Sequence, residues 1–498
     1  MAMMETVGWQ WYAAGALLLP VLGAMLAATQ KGRGADTFGT LGASGALLAM
    51  LGLLATFSHA GVAAPLRATW SLMPWLPGEA GEFGLLIDGL CMILLIVAVV
   101  IGLLVVLFSA EYLSPRNREH VTEDGKGRYY FWLLMFLAAM VGLAMSPNLL
   151  QMFVFWELTT ICSWALISFY NTREANAAGY KALVMTGAGG VLFVGALLLA
   201  YAFAGDFGFD ALARAPREVA VAGFLMLLVA AWAKAAQVPF FTWLPDAIAA
   251  PTPISAYLHA AAMVKAGVFL MARVIHGSYI AVSALPGLGV GVAVAALVTM
   301  LIGLYFYFLQ DDLNRLLAFS TITHLGYVLF GLGLGAAGVW LGFQAAMLHI
   351  MMHGFAKTLL FLVVGGVAYA TGSRSISRLS GLGARMPWSS FAFGVGLMAV
   401  CGIPPLSCFW SKVLLAGAVV KLGGGVAMLL DVSLVIEATL ALFWFLRVGQ
   451  RVFFGEPSAA ADEAVEVPRP MAAVIGALVV LCLLAPLIAL PFLPPQPI

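Results

Sequence analysis

Residues 233–267 read AKAAQVPFFTWLPDAIAAPTPISAYLHAAAMVKAG. Lys234, Lys265 and His259 stand there among alanines, aromatics and branched aliphatic residues, with prolines at 239, 245, 251 and 253 between them. A soluble helix would turn such groups to water on a polar face, but the flanking residues supply none. The runs on either side, 220–242 and 253–275, are each long enough to cross a bilayer, which takes roughly 20 apolar residues. The stretch therefore reads as the end of one spanning helix, a break at Pro239 and Pro245, and the start of another. Proline inside a span frees backbone groups, which is tolerated mainly where protein or a water-filled cavity satisfies them.

The rest of the chain is built in the same way. Of its 498 residues 63% are apolar and 9% charged, with a mean hydropathy of +1.02. This lies outside the range of a soluble domain of that length. Spans are predicted at 11–29, 39–58, 86–110, 129–147, 149–170, 180–203, 220–242, 253–275, 286–309, 315–334, 340–370, 388–420, 430–453 and 471–493. The expected fold is an all-α polytopic membrane protein of about fourteen transmembrane helices, some of them broken. A formal net charge of +1, with no basic block, argues against a nucleic-acid partner. The five cysteines, Cys91, Cys162, Cys401, Cys408 and Cys482, lie in apolar segments without the close pairing of zinc or iron–sulfur ligation. No glycine-rich dinucleotide pattern follows a strand, so neither metal nor cofactor is expected. Residues 1–10 carry only Glu5, and the first cations, Lys31 and Arg33, follow the first apolar run. That run reads as a retained helix and not as a secretory signal.

Counting spans also sorts the cations. Lys31, Arg33, Arg116, Arg118, Lys126, Arg128, Arg173, Arg315, Arg374, Arg378, Arg385, Arg447, Arg451 and Arg469 fall on one side, and Arg67, Arg214, Arg217, Arg273 and Lys421 on the other. The positive-inside rule puts the larger set in the cytoplasm and both termini outside. Loops 59–81 and 206–218 are expected to hold short helices at most, and 455–470 to be a linker.

Lys181, Lys234, Lys265, Lys357 and Lys412 remain. Lys181 opens its predicted helix and reads as snorkelling. The other four sit within apolar runs, where an isolated charge costs roughly 2.5–3.5 kcal/mol or more. Glu157 and Glu437 are acids in the same situation, and His259, His324, His349 and His353 also lie inside spans. His349, His353 and Lys357 follow at i, i+4 and i+8, on one helix face. The i, i+4 histidine pair also satisfies metal-ligand spacing, though without a nearby acid or thiol. An imidazole that titrates near pH ~6.5 can pass a proton on. A desolvated ammonium gives up its proton readily, and a neighbouring carboxylate restores the charged form. Lys412 follows a second interruption at Gly402, Pro404 and Pro405. Paired interrupted helices in two halves of a chain point to an inverted repeat with its site near the midplane.

With those residues in view, the chain resembles the antiporter-like membrane subunits shared by respiratory complex I, Mrp-type sodium/proton antiporters and membrane-bound hydrogenases. The resemblance spans about residues 85 to 450 and is carried by 233–267, by FWELTTICSWALISFY at 155–170, by DDLNRLLAFSTITHLGY at 311–327 and by HIMMHGFAKTLLFL at 349–362. NREH at 117–120 and GKGRYY at 125–130 bring the wording nearest to the hydrogenase-4 component D type. The resemblance implies two inverted five-helix repeats at 129–275 and 286–453, an N-terminal three-helix region at 1–128, and a linker with a last helix at 454–498. It implies Glu157 and Lys234 as an interacting pair, Lys265 or His259 as the connection, His324, His349, His353 and Lys357 as a central relay, and Lys412 as the terminal lysine. The longest members carry a lateral amphipathic helix after the fourteenth span, so the chain ending at Ile498 resembles the shorter, middle subunits.

The function so implied is proton translocation within a redox complex of the prokaryotic plasma membrane, with other membrane subunits and peripheral hydrogenase or dehydrogenase subunits as partners. Sodium/proton exchange in an Mrp-type assembly, or energising a soluble enzyme such as one hydrating inorganic carbon, would use the same axis.

Overall fold

In a bilayer the backbone finds no water to bond, so each apolar run must satisfy its own N–H and C=O groups as a helix. The computed structural model describes residues 8–60, 65–73, 76, 78–122 and 124–497; Glu5 lies outside the described residues. The chain opens with α1 (Trp9–Ala28), α2 (Arg33–Ala60) and, after a hairpin, α3 (Gly89–Tyr112). The loop 59–81 holds one short helical turn as expected, Gly78–Gly81, and in addition the first strand of the hairpin, which was not expected. Strands β1 (Leu66–Ser71) and β2 (Glu82–Ile87) pair antiparallel, Leu66 opposite Ile87 and Ser71 opposite Glu82. A distant side chain holds it: Gly84 N donates to Gln151 Oε1 at 2.7 Å, and Gln151 Nε2 donates back to Gly84 O at 2.9 Å.

Next come α4 (Lys126–Ala144), α5 (Leu149–Ile167), α6 (Arg173–Ala204), α7 (Arg217–Lys234), the short α8 (Trp243–Asp246), α9 (Thr252–Ala260), α10 (Met263–Gly277) and α11 (Tyr279–Ser283). The remainder is α12 (Pro286–Tyr307), α13 (Leu313–Ala336), α14 (Trp340–Thr371), α15 (Pro387–Cys401), α16 (Ser407–Leu422), α17 (Gly424–Phe453), α18 (Ala459–Asp462) and α19 (Arg469–Ala489). Asp88, Asn148, Thr172 and Asp312 start α3, α5, α6 and α13, each side chain accepting from the backbone N–H three residues on. Such caps satisfy donors that the first turn leaves free.

Among the described residues, twelve units are long and apolar enough to cross a membrane, α9 and α10 together counting as one. The two expected spans not among them are α7, with Arg217, Glu218 and Lys234 among its 18 residues, and the divided α15–α16 pair. The differences lie at the breaks. α7 stops at Lys234, short of the predicted 242, and α9 and α10 part at residues 261 and 262, where one helix was expected. The 388–420 span is cut at 402–406, where Gly402 adopts a φ of +85° that a side chain would disfavour. α6 begins at Arg173, so Lys181 lies two turns into it and binds Asp246 at 2.7 Å, a partner that snorkelling did not foresee. α18 adds a turn of helix inside the predicted linker.

α13, α14 and the α9–α10 pair are buried along almost their whole length and form the centre. α1, α2, α6 and α17 present most of their surface outward. Ion pairs gather at the two ends. Lys126–Asp36 at 2.8 Å, Arg374–Glu119 at 2.9 Å and Arg374–Asp312 at 3.4 Å join residues of the cation-rich end. Arg214–Asp206 at 2.7 Å and Arg273–Asp88 join residues of the other.

Candidate functional site

The polar groups inside the bundle meet where α13, α14 and α16 pack together. His324 Nδ1 lies 3.0 Å from His349 Nε2, and His349 Nδ1 lies 2.8 Å from Ser411 Oγ. Ser411 Oγ donates to the Cys408 carbonyl at 3.1 Å. The His324 and His349 rings and the Ser411 hydroxyl are thus hydrogen-bonded in series, the donor at each contact being set by the ring tautomers. Three groups form one chain. The His353 ring stands 5.0 Å from that of His324, and its Nε2 has no protein partner.

The chain continues outward through Tyr327, one turn beyond His324 on α13. Its ring faces His349 at 5.4 Å, and its hydroxyl donates to Glu437 Oε2 on α17. Lys412 Nζ stands 4.8 Å above the Tyr327 ring and donates to the Cys401 carbonyl at 3.2 Å, a group exposed by the break between α15 and α16. Pro404 and Pro405 lie in that break, between Cys401 and Lys412 in the chain.

On the inner side, Lys357 Nζ donates to the Leu317 carbonyl at 3.2 Å and to Ser320 Oγ at 2.5 Å. Lys265 donates to the Ala260 carbonyl in the gap between α9 and α10. A Cβ on Gly354 would lie 3.1 Å from Lys265 Nζ, so the bare α14 backbone next to His353 makes room for the ammonium. His259 is fully buried with neither ring nitrogen partnered by protein, and its ring lies 4.9 Å from that of Phe361.

Lys234 ends α7 just before the break that holds Pro239, with Pro245 inside the short α8. Its ammonium donates to the Trp156 carbonyl and to Thr160 Oγ1 at 3.0 Å, and lies 4.2 Å from the Trp156 ring. Glu157 and Lys234 act on each other electrostatically without a direct bond: Lys234 donates to α5 one residue before Glu157. Glu157 Oε1 is buried without a protein partner, in a space that a Cβ on Gly190 would enter to within 2.3 Å. All four deep lysines therefore donate to backbone carbonyls, and none to a carboxylate.

The histidines, Lys357, Lys265 and Lys412 come together around α13 and α14, whereas Lys234 and Glu157 form a separate station between α5 and α7. Trp156, Thr160, Ser411 and Tyr327 were not foreseen as site residues. Tyr327 was signalled by its i+3 spacing from His324; the others act through tertiary contacts without a sequence signature. His324, His349 and Cys408 each offer a ligand atom within 4.8 Å of the others. This corrects the reading that no thiol lies near the histidine pair; both His349 nitrogens are also engaged in hydrogen bonds.

Comparison with known proteins gives the family. The transmembrane family described as NADH:quinone oxidoreductase/Mrp antiporter matches residues 146–437, and the N-terminal family of complex I chain 5 matches residues 75–130. The chain is 37% identical over 360 residues to an Na(+)/H(+) antiporter subunit of Alkalihalophilus pseudofirmus, covering 68% of this chain and 43% of the relative. It is 36% identical over 363 residues to chloroplastic NAD(P)H-quinone oxidoreductase subunit 5 of Chaetosphaeridium globosum, covering 68% and 52%. It thus spans about half the length of these relatives. A chain of the Mrp complex from Dietzia sp. DQ12-45-1b superposes with a TM-score of 0.81 at 29% identity, covering 96% of this chain and 50% of that one. A chain of an archaeal membrane-bound sulfane sulfur reductase shares the fold, with a TM-score of 0.82 at 24% identity over 95% of this chain and 75% of that one. With more than half of its length matched by the first of these descriptions, the chain belongs to the NADH:quinone oxidoreductase/Mrp antiporter transmembrane family.

Proposed function

We propose that this chain is a proton-translocating membrane subunit of a multi-subunit redox complex, moving protons along a buried axis of Lys234, Lys265, His353, His324, His349, Lys357 and Lys412, with His259 as a connection and Glu157 as the acid beside Lys234. The observation that carries this reading is the choice of lysine partners. An ammonium locked to a carboxylate in a low-dielectric interior keeps its proton. A carbonyl or hydroxyl oxygen supports the ammonium without adding a charge, so the amine can lose and regain a proton at lower cost. Imidazoles linked at 3.0 Å supply the complementary step, since each can take a proton on one nitrogen and release one from the other.

Residues 129–275 and 286–453 are proposed as two inverted five-helix repeats, flanked by 1–128 and 454–498. In this reading Lys234 at the first break corresponds to Lys412 at the second. The cation-rich end faces the cytoplasm of a prokaryotic cell and both termini lie outside. The proposed partners are further membrane subunits and peripheral hydrogenase or dehydrogenase subunits, of the hydrogenase-4 type. Sodium/proton exchange is the second reading, favoured by the likeness to an Na(+)/H(+) antiporter subunit.

Purification of the native assembly, identification of its subunits and reconstitution into sealed vesicles test the proposal. Proton uptake driven by the redox partners and insensitive to sodium is expected. Sodium-dependent exchange without redox subunits would replace the first reading by the second.

A further inference from the structure

A wedge opens between α7 and α12 at the end of the bundle opposite the cation-rich one. α7 packs against α6 and α10, and α12 against α13 and α17. Farther in, the segment after α7 meets α12: Val238 N donates to Thr299 Oγ1 at 3.3 Å, and the Phe241 and Phe306 rings lie 5.6 Å apart. Thr299 stands about 20 Å along α12 from its first residue, at a rise of ~1.5 Å per residue. The wedge is therefore closed near the break that follows Lys234 and open where both helices begin.

Two cavities occupy the open end. One, of about 360 Å³, is walled by buried Phe224, Val274 and Val282, with the small side chains of Ala220 and Ala284 leaving it room. The other, of about 380 Å³, shares Arg217, Val221 and Leu288 with the first and reaches Pro286 and Gly287 at the start of α12. Arg217 stands where the two join. It lies on one face of α7 with Ala220, Val221 and Phe224, at i, i+3, i+4 and i+7, whereas its neighbour Glu218 lines neither cavity. Arg214 is bound to Asp206 and Asp210, but Arg217 is exposed and makes no ion pair or hydrogen bond among the described residues. Pro216 caps α7 without a side-chain bond, so free N–H groups of the first turn add to the positive charge there.

Two apolar cavities that fork from one unpaired guanidinium at the membrane surface have the form of a diacyl phospholipid, in which two chains leave one phosphate. We propose that the wedge between α7 and α12 binds one phospholipid, its phosphate on Arg217 and the start of α7 and one acyl chain in each cavity. The guanidinium fork suits a phosphate, to which it can donate two bonds at once. A spanning helix of a partner is a poor fit. It would need a groove about 30 Å long, the thickness of the hydrocarbon core, whereas the first cavity follows α7 from Arg217 to Phe224, about 10 Å. The site does not depend on which ion the chain moves.

Photoaffinity labelling of the native assembly in vesicles, mapped by mass spectrometry, tests the site. Two probes carry the same diazirine-bearing acyl chains: phosphatidylglycerol, and diacylglycerol, which lacks the phosphate. Peptides covering 212–224 and 281–288 are expected to take phosphatidylglycerol about fivefold over diacylglycerol, ~1 kcal/mol of affinity, once normalised to the same ratio at other labelled peptides. That is the scale of one cation near an anionic lipid surface. Arg217→Gln is expected to abolish the preference, and Ala220→Phe, which fills the first cavity, to lower labelling of both peptides by either probe several-fold. A ratio equal to that of other peptides marks bulk lipid only and overturns the proposal. Peptides that take neither probe mark a partner segment in the wedge and overturn it too, as does an unchanged preference in Arg217→Gln or unchanged labelling in an assembled Ala220→Phe variant. Arg217 is exposed, so its variant decides the matter if Ala220→Phe does not assemble.

Discussion

Lys234 ends α7 immediately before a break, whereas Lys412 follows a break within the second turn of α16. Each ammonium donates to a backbone carbonyl, Trp156 in one case and Cys401 in the other, and each lies over an aromatic ring, Trp156 at 4.2 Å and Tyr327 at 4.8 Å. A desolvated cation over such a ring gains about 2 kcal/mol. The stations differ in their acids and in exposure. Glu157 adjoins Trp156 on α5 and has a free buried oxygen, whereas Glu437 comes from α17 and is held by Tyr327. Lys234 is fully buried and Lys412 only partly. A carbonyl, a ring and a nearby but unbonded acid thus suffice to keep a lysine inside the bundle, while the acid's own partner decides whether it can move.

The largest effects that probe this comparison are expected at the lysines. Lys412→Ala should lower proton uptake at least about a hundredfold, ~2.7 kcal/mol in the barrier, in vesicles with normal subunit content. Uptake within about threefold of wild type would show that the second station is not equivalent to the first. The acids come next. Glu157→Gln is expected to slow uptake about tenfold, and Glu437→Gln only about threefold, because Glu437 is already tied down. Initial rates in parallel vesicle preparations decide it, and a reversed order would break the assignment of the mobile acid to the first station. The smallest effect is on transport in Tyr327→Phe, which keeps the ring beneath Lys412 but leaves buried Glu437 without its donor. Its main cost is stability, about 1–3 kcal/mol, read as a lower unfolding temperature of the purified assembly.

Much of this arrangement was legible in the sequence, for one physical reason. Lipid tolerates few charges, so lysines and histidines in apolar runs mark the interior, and prolines beside Lys234 and Lys412 mark the breaks. The remainder depends on contacts between segments far apart in the chain. Nothing in the residues around 261 and 262, a run of alanines, announces the gap between α9 and α10; Lys265 occupies it by bonding the freed Ala260 carbonyl. The β1–β2 hairpin depends on Gln151, sixty-seven residues beyond Gly84. Glu157 and Lys234 carry complementary charges, yet the Trp156 carbonyl and Thr160 take the ammonium, a choice of backbone geometry and not of residue type. Glu437 was visible as a buried acid, but its attachment to Tyr327 joins α13 to α17 across 110 residues.

The account rests on buried ammonium groups that exchange protons in place. Its most direct test is Lys234→Ala in the native assembly, with proton uptake followed by a pH-sensitive dye in sealed vesicles and subunit content checked in the same preparation. Uptake at the level of uncoupled vesicles, with every subunit present, is the predicted result. Uptake at the wild-type rate would contradict it.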